Sequence, residues 1–356
     1  MSNPQINRRD ALVGLAAVTG VVAVGAGGLA EASGWFGAPK LTSSRFTDGF
    51  EQVYGRHNGF RRNHAKGLAA TGSFTPSGAG VEVSKASVFD GSTVPVTARF
   101  SLSGGVPDAA DKPATVRGLG LLFELPDGQQ WRTAMVNLPV FPDNTPEGFY
   151  QRILASKPDP ATGQPDPAAM SAFLARHPET AAAMKVIKGS PPSPGFADST
   201  FRSINAFIAT NQGGTSVPIR WAAVPVDPLG AAAGPGGDDA LFDALIERVD
   251  RGPVSWRLVL TVAGPGDPTD DATLAWPPER RTIEAGTLTI DRVLTEAAGN
   301  ARDVNFDPLV LPVGLAPSDD PLPRARSAVY ARSFERRSRE PKSPSEVSVE
   351  RVNRDQ

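Results

Sequence analysis

Short apolar runs separated by turn-forming clusters constrain this chain more than any other feature. Gly67–Phe74, Val81–Phe89, Val94–Leu102, Gly118–Leu125 and Trp131–Val140 are rich in β-branched, aromatic or small apolar residues. Proline and glycine clusters bound them, and Asp127-Gly128 is a hairpin signal between two of them. The same pattern returns at Phe201–Ala209, Ser216–Val224 and Val254–Val262. Many short strands joined by ordered loops suit an antiparallel sheet that closes on itself far better than a helix bundle.

Helical periodicity is confined to a few places. Phe46, Phe50, Val53 and Tyr54 fall on one face of a helix early in the chain. Pro146–Ser156 and Pro167–Ile187 read as helices, and a further one spans Asp238–Asp250. The order strands, helices, strands predicts an α+β fold: one antiparallel barrel with helical insertions over residues 40–341, not two domains. Residues 342–356 are charged and serine-rich without an apolar period, which predicts a mobile tail.

Composition narrows the chemistry. The net charge of −2 over 356 residues gives no bulk electrostatic case for nucleic acid. There is no cysteine, so disulfides, thiolate nucleophiles, zinc-thiolate sites and thiolate-ligated haem are all excluded.

The N-terminus reads as an export segment. Arg8-Arg9 precedes a weakly apolar run from Ala11 to Ala30, and Ala30-Glu31-Ala32 offers small residues for cleavage. This pattern predicts a twin-arginine signal over residues 1–32 and a periplasmic or otherwise exported protein. The run is long enough to span a bilayer, at about 20 residues. Its five glycines favour cleavage or weak membrane tethering over a permanent anchor. The twin-arginine route carries folded proteins, so such a signal favours a cofactor bound before export.

Two distant groups of residues carry the chemistry. The first is Arg61-Arg62-Asn63-His64-Ala65-Lys66-Gly67, followed by Arg99-Phe100-Ser101 and by Arg117-Gly118. The second is Phe306-Asp307-Pro308, Pro312-Val313-Gly314-Leu315, Pro317-Ser318 and Arg326-x-x-x-Tyr330, with Arg337 beyond. Together they resemble the haem catalase superfamily, specifically its small, exported, catalase-related peroxidases. The likeness runs from about Phe46 to Arg337, without the long terminal extensions of full-size catalases.

The resemblance implies a catalase-like barrel, haem b as cofactor and peroxide as substrate. Tyr330 would be the iron ligand, bound as phenolate, since tyrosine is the axial ligand by which catalases hold their haem iron. Arg326, one helical turn away, would favour the phenolate. His64 would take and return the peroxide proton, a task suited to a neutral imidazole. Ser101 would hydrogen-bond its ring. Arg61, Arg99 and Arg337 would hold the haem carboxylates, which a guanidinium can grip bidentately. Phe149 would stack on the haem. His57 and His177 lack a comparable context and read as structural.

One position departs from the family. Its Asn-Asn-Thr-Pro block reads Val136-Asn137-Leu138-Pro139 here, so valine stands where catalases carry the asparagine that polarises peroxide. Asn137 would take over that catalytic role only through a shift of backbone register. A valine there implies weak catalase turnover and peroxidase chemistry with hydrogen peroxide or an organic hydroperoxide and an organic electron donor. Two alternatives stay open: a fatty acid hydroperoxide isomerase or dehydratase of the allene oxide synthase kind, and a non-catalytic haem-binding protein. Without the terminal extensions a monomer or dimer is expected.

Overall fold

The computed structural model describes residues 41–112, 115–228 and 237–352. The expected export signal at residues 1–32 lies outside the described residues. Among those described, no helix is long and apolar enough to cross a membrane.

Strands β1 (Gly67–Pro76), β2 (Val94–Leu102), β3 (Arg117–Glu124) and β4 (Gln130–Val136) form an antiparallel meander. The short β5 (Phe201–Arg202) joins β4 to β7 (Ser216–Pro225). Strand β7 pairs with β8 (Val254–Val262), β8 with β9 (Thr282–Leu294), and β9 returns to β1. Eight strands thus close a ring, which leaves no free edge along it. Strands β6 (Phe207–Thr210) and β10 (Leu315–Pro317) extend the sheet beside β7.

Period-two alternation decides what each strand contributes. Val94, Val96, Ala98, Phe100 and Leu102 of β2 point into the barrel, as do Leu119, Leu121 and Phe123 of β3. Trp131, Trp221 and Trp256 fill its centre, with Trp131 stacked on Phe123 at 4.8 Å between ring centroids. The intervening residues Arg99, Ser101, Gly118, Gly120, Ala134 and Val136 face outward.

Helices cover that outer face. Helix α1 (Ser43–Tyr54) starts at Thr42, whose hydroxyl accepts from the Arg45 amide. Helix α2 (Pro146–Ala155) starts likewise at Thr145, with proline at its first position. Helices α3 (Pro167–Arg176) and α4 (Pro178–Gly189) follow, and α5 (Ala240–Asp250) packs near β9. The long α6 (Pro321–Ser338) is capped by Asp320, and α7 (Val349–Val352) ends the described chain. Phe46, Phe50, Ile153 and Val329 join α1, α2 and α6 into one apolar layer.

The structure corrects several sequence expectations. Val81–Phe89 is not a strand but two turns of 3-10 helix, Ala79–Glu82 and Ser87–Phe89. Val83, Val88 and Phe89 still bury in the barrel core, so a plugging loop shows the same apolar signature as a strand. The helix expected over Pro167–Ile187 breaks at His177, because Pro178 cannot continue it. The strand expected over Phe201–Ala209 divides at Ile204, which sits at φ 63°. Strand β9 was not anticipated. The expected mobile tail is folded as far as Val352: Val347 is fully buried in the core, and Arg351 pairs with Asp239 and Asp243.

Candidate active site

One cavity lies between the outer face of β2, β3 and β4 and the helical layer. The space it encloses, open mouth included, is about 1300 Å³. Phe46, Phe50, Phe141, Phe149, Leu322 and Val329 make much of its wall apolar.

His64 enters from the loop before β1. It adopts φ 58°, and with Ile204 it is one of two non-glycine residues at positive φ among those described. Both line the cavity, and such strain, about 1–2 kcal/mol for a left-handed residue, persists only where surrounding contacts over-determine it. Here they do. The His64 amide donates to Asn63 Oδ1 at 3.0 Å, the Gly104 amide donates to the same oxygen at 2.8 Å, and the Ala65 amide reaches Gly104 O at 2.9 Å. The His64 ring Nδ1 shares a hydrogen bond of 3.1 Å with Ser101 Oγ. Burial, then the positive charges of Arg99, Arg326 and Arg61, lower the imidazole pKa to about 3. His64 is therefore neutral at physiological pH.

Gly118 makes room for this pair. A Cβ there would stand 2.8 Å from Ser101 Oγ and 3.1 Å from two atoms of the His64 ring.

Helix α6 supplies the other wall. Leu322, Arg326, Val329, Tyr330, Ser333 and Arg337 share one face and line the cavity. Arg326 Nη2 lies 3.5 Å from Tyr330 Oη. The same guanidinium donates to Asn205 Oδ1 at 2.6 Å and to Ala134 O at 2.8 Å. Asn205, fully buried, donates in turn to Asp320 at 2.8 Å. Sequence reasoning missed Asn205, which carries no local motif; the turn at strained Ile204 is what presents it.

At one end of the cavity Arg61, Arg99 and Arg337 gather, with Arg302 behind them. The buried acid among them is Glu296. Arg61 donates to the carbonyls of Ala301 and Val304, and Arg337 to those of Arg302 and Val304. Burial, then Arg99 and Arg337, press the Arg61 pKa well below its usual value. Burial, then Arg99, pushes that of Arg337 to about 10. The cluster is short of negative charge, the property expected of a receptor for carboxylates.

Of the nine site residues expected, eight meet on this wall: Arg61, His64, Arg99, Ser101, Phe149, Arg326, Tyr330 and Arg337. Phe149 projects from α2 and packs 5.2 Å from Phe141 and 5.4 Å from Phe46. Asn137 is the exception. Its amide donates to Arg117 O at 3.0 Å and its Oδ1 accepts from the Arg117 amide at 2.8 Å. No register shift occurs, so Val136 faces the cavity and Asn137 closes the end of the β3–β4 ladder. His177 stacks on Phe173 and hydrogen-bonds Glu179, outside the cavity.

A flat macrocycle carrying two carboxylates fits these residues: the wall is apolar, the arginines lie at one end, and a tyrosine with its arginine sits on the helix side. Comparison with known proteins gives the same class. The family model for catalase matches residues 56–344, and the chain belongs to the catalase family. It is 37% identical over 342 residues to a catalase-related peroxidase of Synechococcus elongatus, covering 92% of this chain and 95% of that one. A catalase-related peroxidase of Mycolicibacterium paratuberculosis is 33% identical over 303 residues, covering 84% and 95%. The small catalase-related type is thus the one it resembles. Rat catalase is 27% identical, and the chain spans about half its length, 54%. The fold also matches a solved bacterial catalase at TM-score 0.68 and 22% identity, covering 79% of this chain and 58% of that one.

Proposed function

We propose that this chain is a haem b peroxidase that reduces hydrogen peroxide or a small organic hydroperoxide with an organic electron donor, and that its catalase turnover is weak. The observation that carries the reading is the meeting of His64 and Tyr330, from barrel and helix, on the wall of one cavity. The peroxidase names of the two full-length relatives support it.

When bound, haem would supply the iron and accept the oxidising equivalents of the peroxide. Tyr330 would hold the iron through its oxygen, which lies 3.5 Å from the Arg326 guanidinium. Arg61 and Arg337 would take the two carboxylates. Neutral His64 has the lone pair to accept the first proton of a peroxide O–H and to return it to the departing oxygen. Ser101 fixes the ring plane for both transfers. Val136 offers no hydrogen bond, so a second peroxide is poorly oriented as reductant, and an organic donor takes that place. The phenylalanine-rich wall accommodates an apolar hydroperoxide as readily as hydrogen peroxide.

Twin-arginine export of the folded, loaded protein belongs to the same proposal and rests on Arg8-Arg9.

Protein purified with haem should show a tyrosinate-ligated ferric spectrum, react rapidly with one equivalent of hydrogen peroxide, and recover on adding a phenol. Tyr330→Phe should lose haem or change that spectrum. A protein that takes up no haem, or haem inert to peroxide, would overturn the proposal.

A further inference from the structure

Arg99 was expected to grip a cofactor carboxylate, yet its guanidinium is already committed within the protein. Nε and Nη2 hold the two oxygens of Glu296 at 2.7 and 3.0 Å. Nη1 donates to the carbonyl of His64 at 2.9 Å and Nη2 to that of Ala65 at 3.1 Å. Four of the five N–H groups of a guanidinium are thus engaged. Gly67 permits this approach, since a Cβ there would overlap the Arg99 guanidinium. Glu296 also stands 3.5 Å from Arg61. It is 5% exposed. Burial raises its pKa, but Arg99 and then Arg61 and Arg302 outweigh burial and keep it ionised.

We infer that Glu296 is a positioning residue for His64. It clamps Arg99, and Arg99 holds the carbonyls on either side of the left-handed turn that presents the imidazole. The cofactor carboxylates then fall to Arg61 and Arg337, whose donors go to backbone carbonyls and to no bidentate acid. The inference rests on the reading of His64 as the group that moves the peroxide proton.

The physical case is one of over-determination. A histidine at φ 58° relaxes unless its neighbours hold it. Asn63 and Gly104 hold its N-terminal side, and Arg99 holds its carbonyl side. Without the Glu296 charge, Arg99 is a buried cation free to turn toward the nearest anion, which in the loaded protein is a cofactor carboxylate. Cofactor binding would gain a partner while the His64 turn would lose one.

Glu296→Gln, Arg61→Ala, Arg337→Ala and His64→Ala separate these roles. Three quantities are read for each: the haem dissociation constant by titration of apoprotein, the affinity of the ferric protein for cyanide, and the second-order rate with hydrogen peroxide. Glu296→Gln should bind haem as tightly as wild type or more so, yet lose roughly tenfold to a hundredfold in the peroxide rate, as misplacement by a fraction of an ångström to 1 Å does. Its cyanide affinity should fall in parallel. Arg61→Ala and Arg337→Ala should weaken haem binding by roughly tenfold or more, the worth of one charge-assisted hydrogen bond. Glu296→Asp retracts the carboxylate by one methylene and should fall between wild type and Glu296→Gln; it carries the test should Glu296→Gln not fold. Haem loss in Glu296→Gln equal to that in Arg61→Ala would overturn the inference, as would an unchanged peroxide rate. A slow His64→Ala beside a wild-type Glu296→Gln refutes the inference alone. A His64→Ala protein that reacts at the wild-type rate refutes the reading beneath it.

Discussion

Replacing Gly118 with alanine places one methyl group between the two residues that would manage the peroxide proton. The added carbon would lie 2.8 Å from Ser101 Oγ and 3.1 Å from His64 Cε1 and Nδ1. Comfortable contact needs about 3.4 Å, so the hydroxyl must yield by about 0.6 Å and the ring by about 0.3 Å. The backbone cannot retreat, because Gly118 is paired with Ser101 on β2 and with Val136 on β4. Over-packing of this kind costs about 1–3 kcal/mol. A shift of a few tenths of an ångström at a proton-transfer group should slow the peroxide step by roughly tenfold, scaling down from the hundredfold typical of 1 Å. Haem content should be unchanged, since the atoms nearest the new methyl belong to Ser101 and His64, not to Tyr330 or the arginine cluster. Stopped-flow absorbance of the haem protein mixed with hydrogen peroxide, with a thermal melt alongside, measures both effects. A Gly118→Ala protein with the wild-type peroxide rate would show that the Ser101–His64 geometry does not set that rate.

Three further outcomes are expected. The folded pKa of His64, near 3, lies below its unfolded value near 6.5, so the unfolded chain takes up a proton that the native protein refuses. Apoprotein stability should therefore decline as pH falls below 6.5, while the peroxide rate stays level there and drops only toward pH 3; an acid limb centred near 6.5 would count against the assignment. Val136→Asn adds a hydrogen-bonding group where the cavity has none, and oxygen evolution from hydrogen peroxide should rise by roughly a hundredfold; no gain would mean that the valine is not what limits catalase turnover. Val347→Asp puts a charge into the barrel core from the C-terminal segment and should cost about 3 kcal/mol or more in a denaturant titration; a neutral effect would restore the picture of a mobile tail.

The parts of the fold that showed in the sequence are those where one residue's environment repeats at a regular interval. Strand β2 alternates cleanly, and Pro146 marks the start of α2. Strand β9 was hidden by its irregularities. Its inward residues run Ile283, Ala285, then Leu288, Ile290, then Val293. The register slips opposite Leu258/Val259 and again opposite Thr71/Gly72, and each slip reverses which residues point inward. The active site divides the same way. His64 and Tyr330 stand in stretches whose neighbours identify them. Glu296 and Asn205 act across 197 and 121 residues, on Arg99 and Arg326, and nothing in their local sequence marks them. Asn137 was misplaced for a simpler reason: in a pleated strand adjacent residues face opposite ways, so the asparagine next to the cavity position cannot share it.

The cavity wall begins at Phe46 on α1 and ends at Arg337 near the close of α6. A growing chain therefore has no complete place for its cofactor until synthesis has passed Arg337. The β1–β9 seam imposes the same order, for β1 lies early in the chain and its partner arrives last among the ring strands. A truncated or stalled product would expose the outer faces of β2 and β3 with nothing to cover them. Loading is consequently a checkpoint on synthesis through α6: a chain that holds the macrocycle through both Arg61 and Tyr330 has been made as far as that helix and has folded it back against β1–β4.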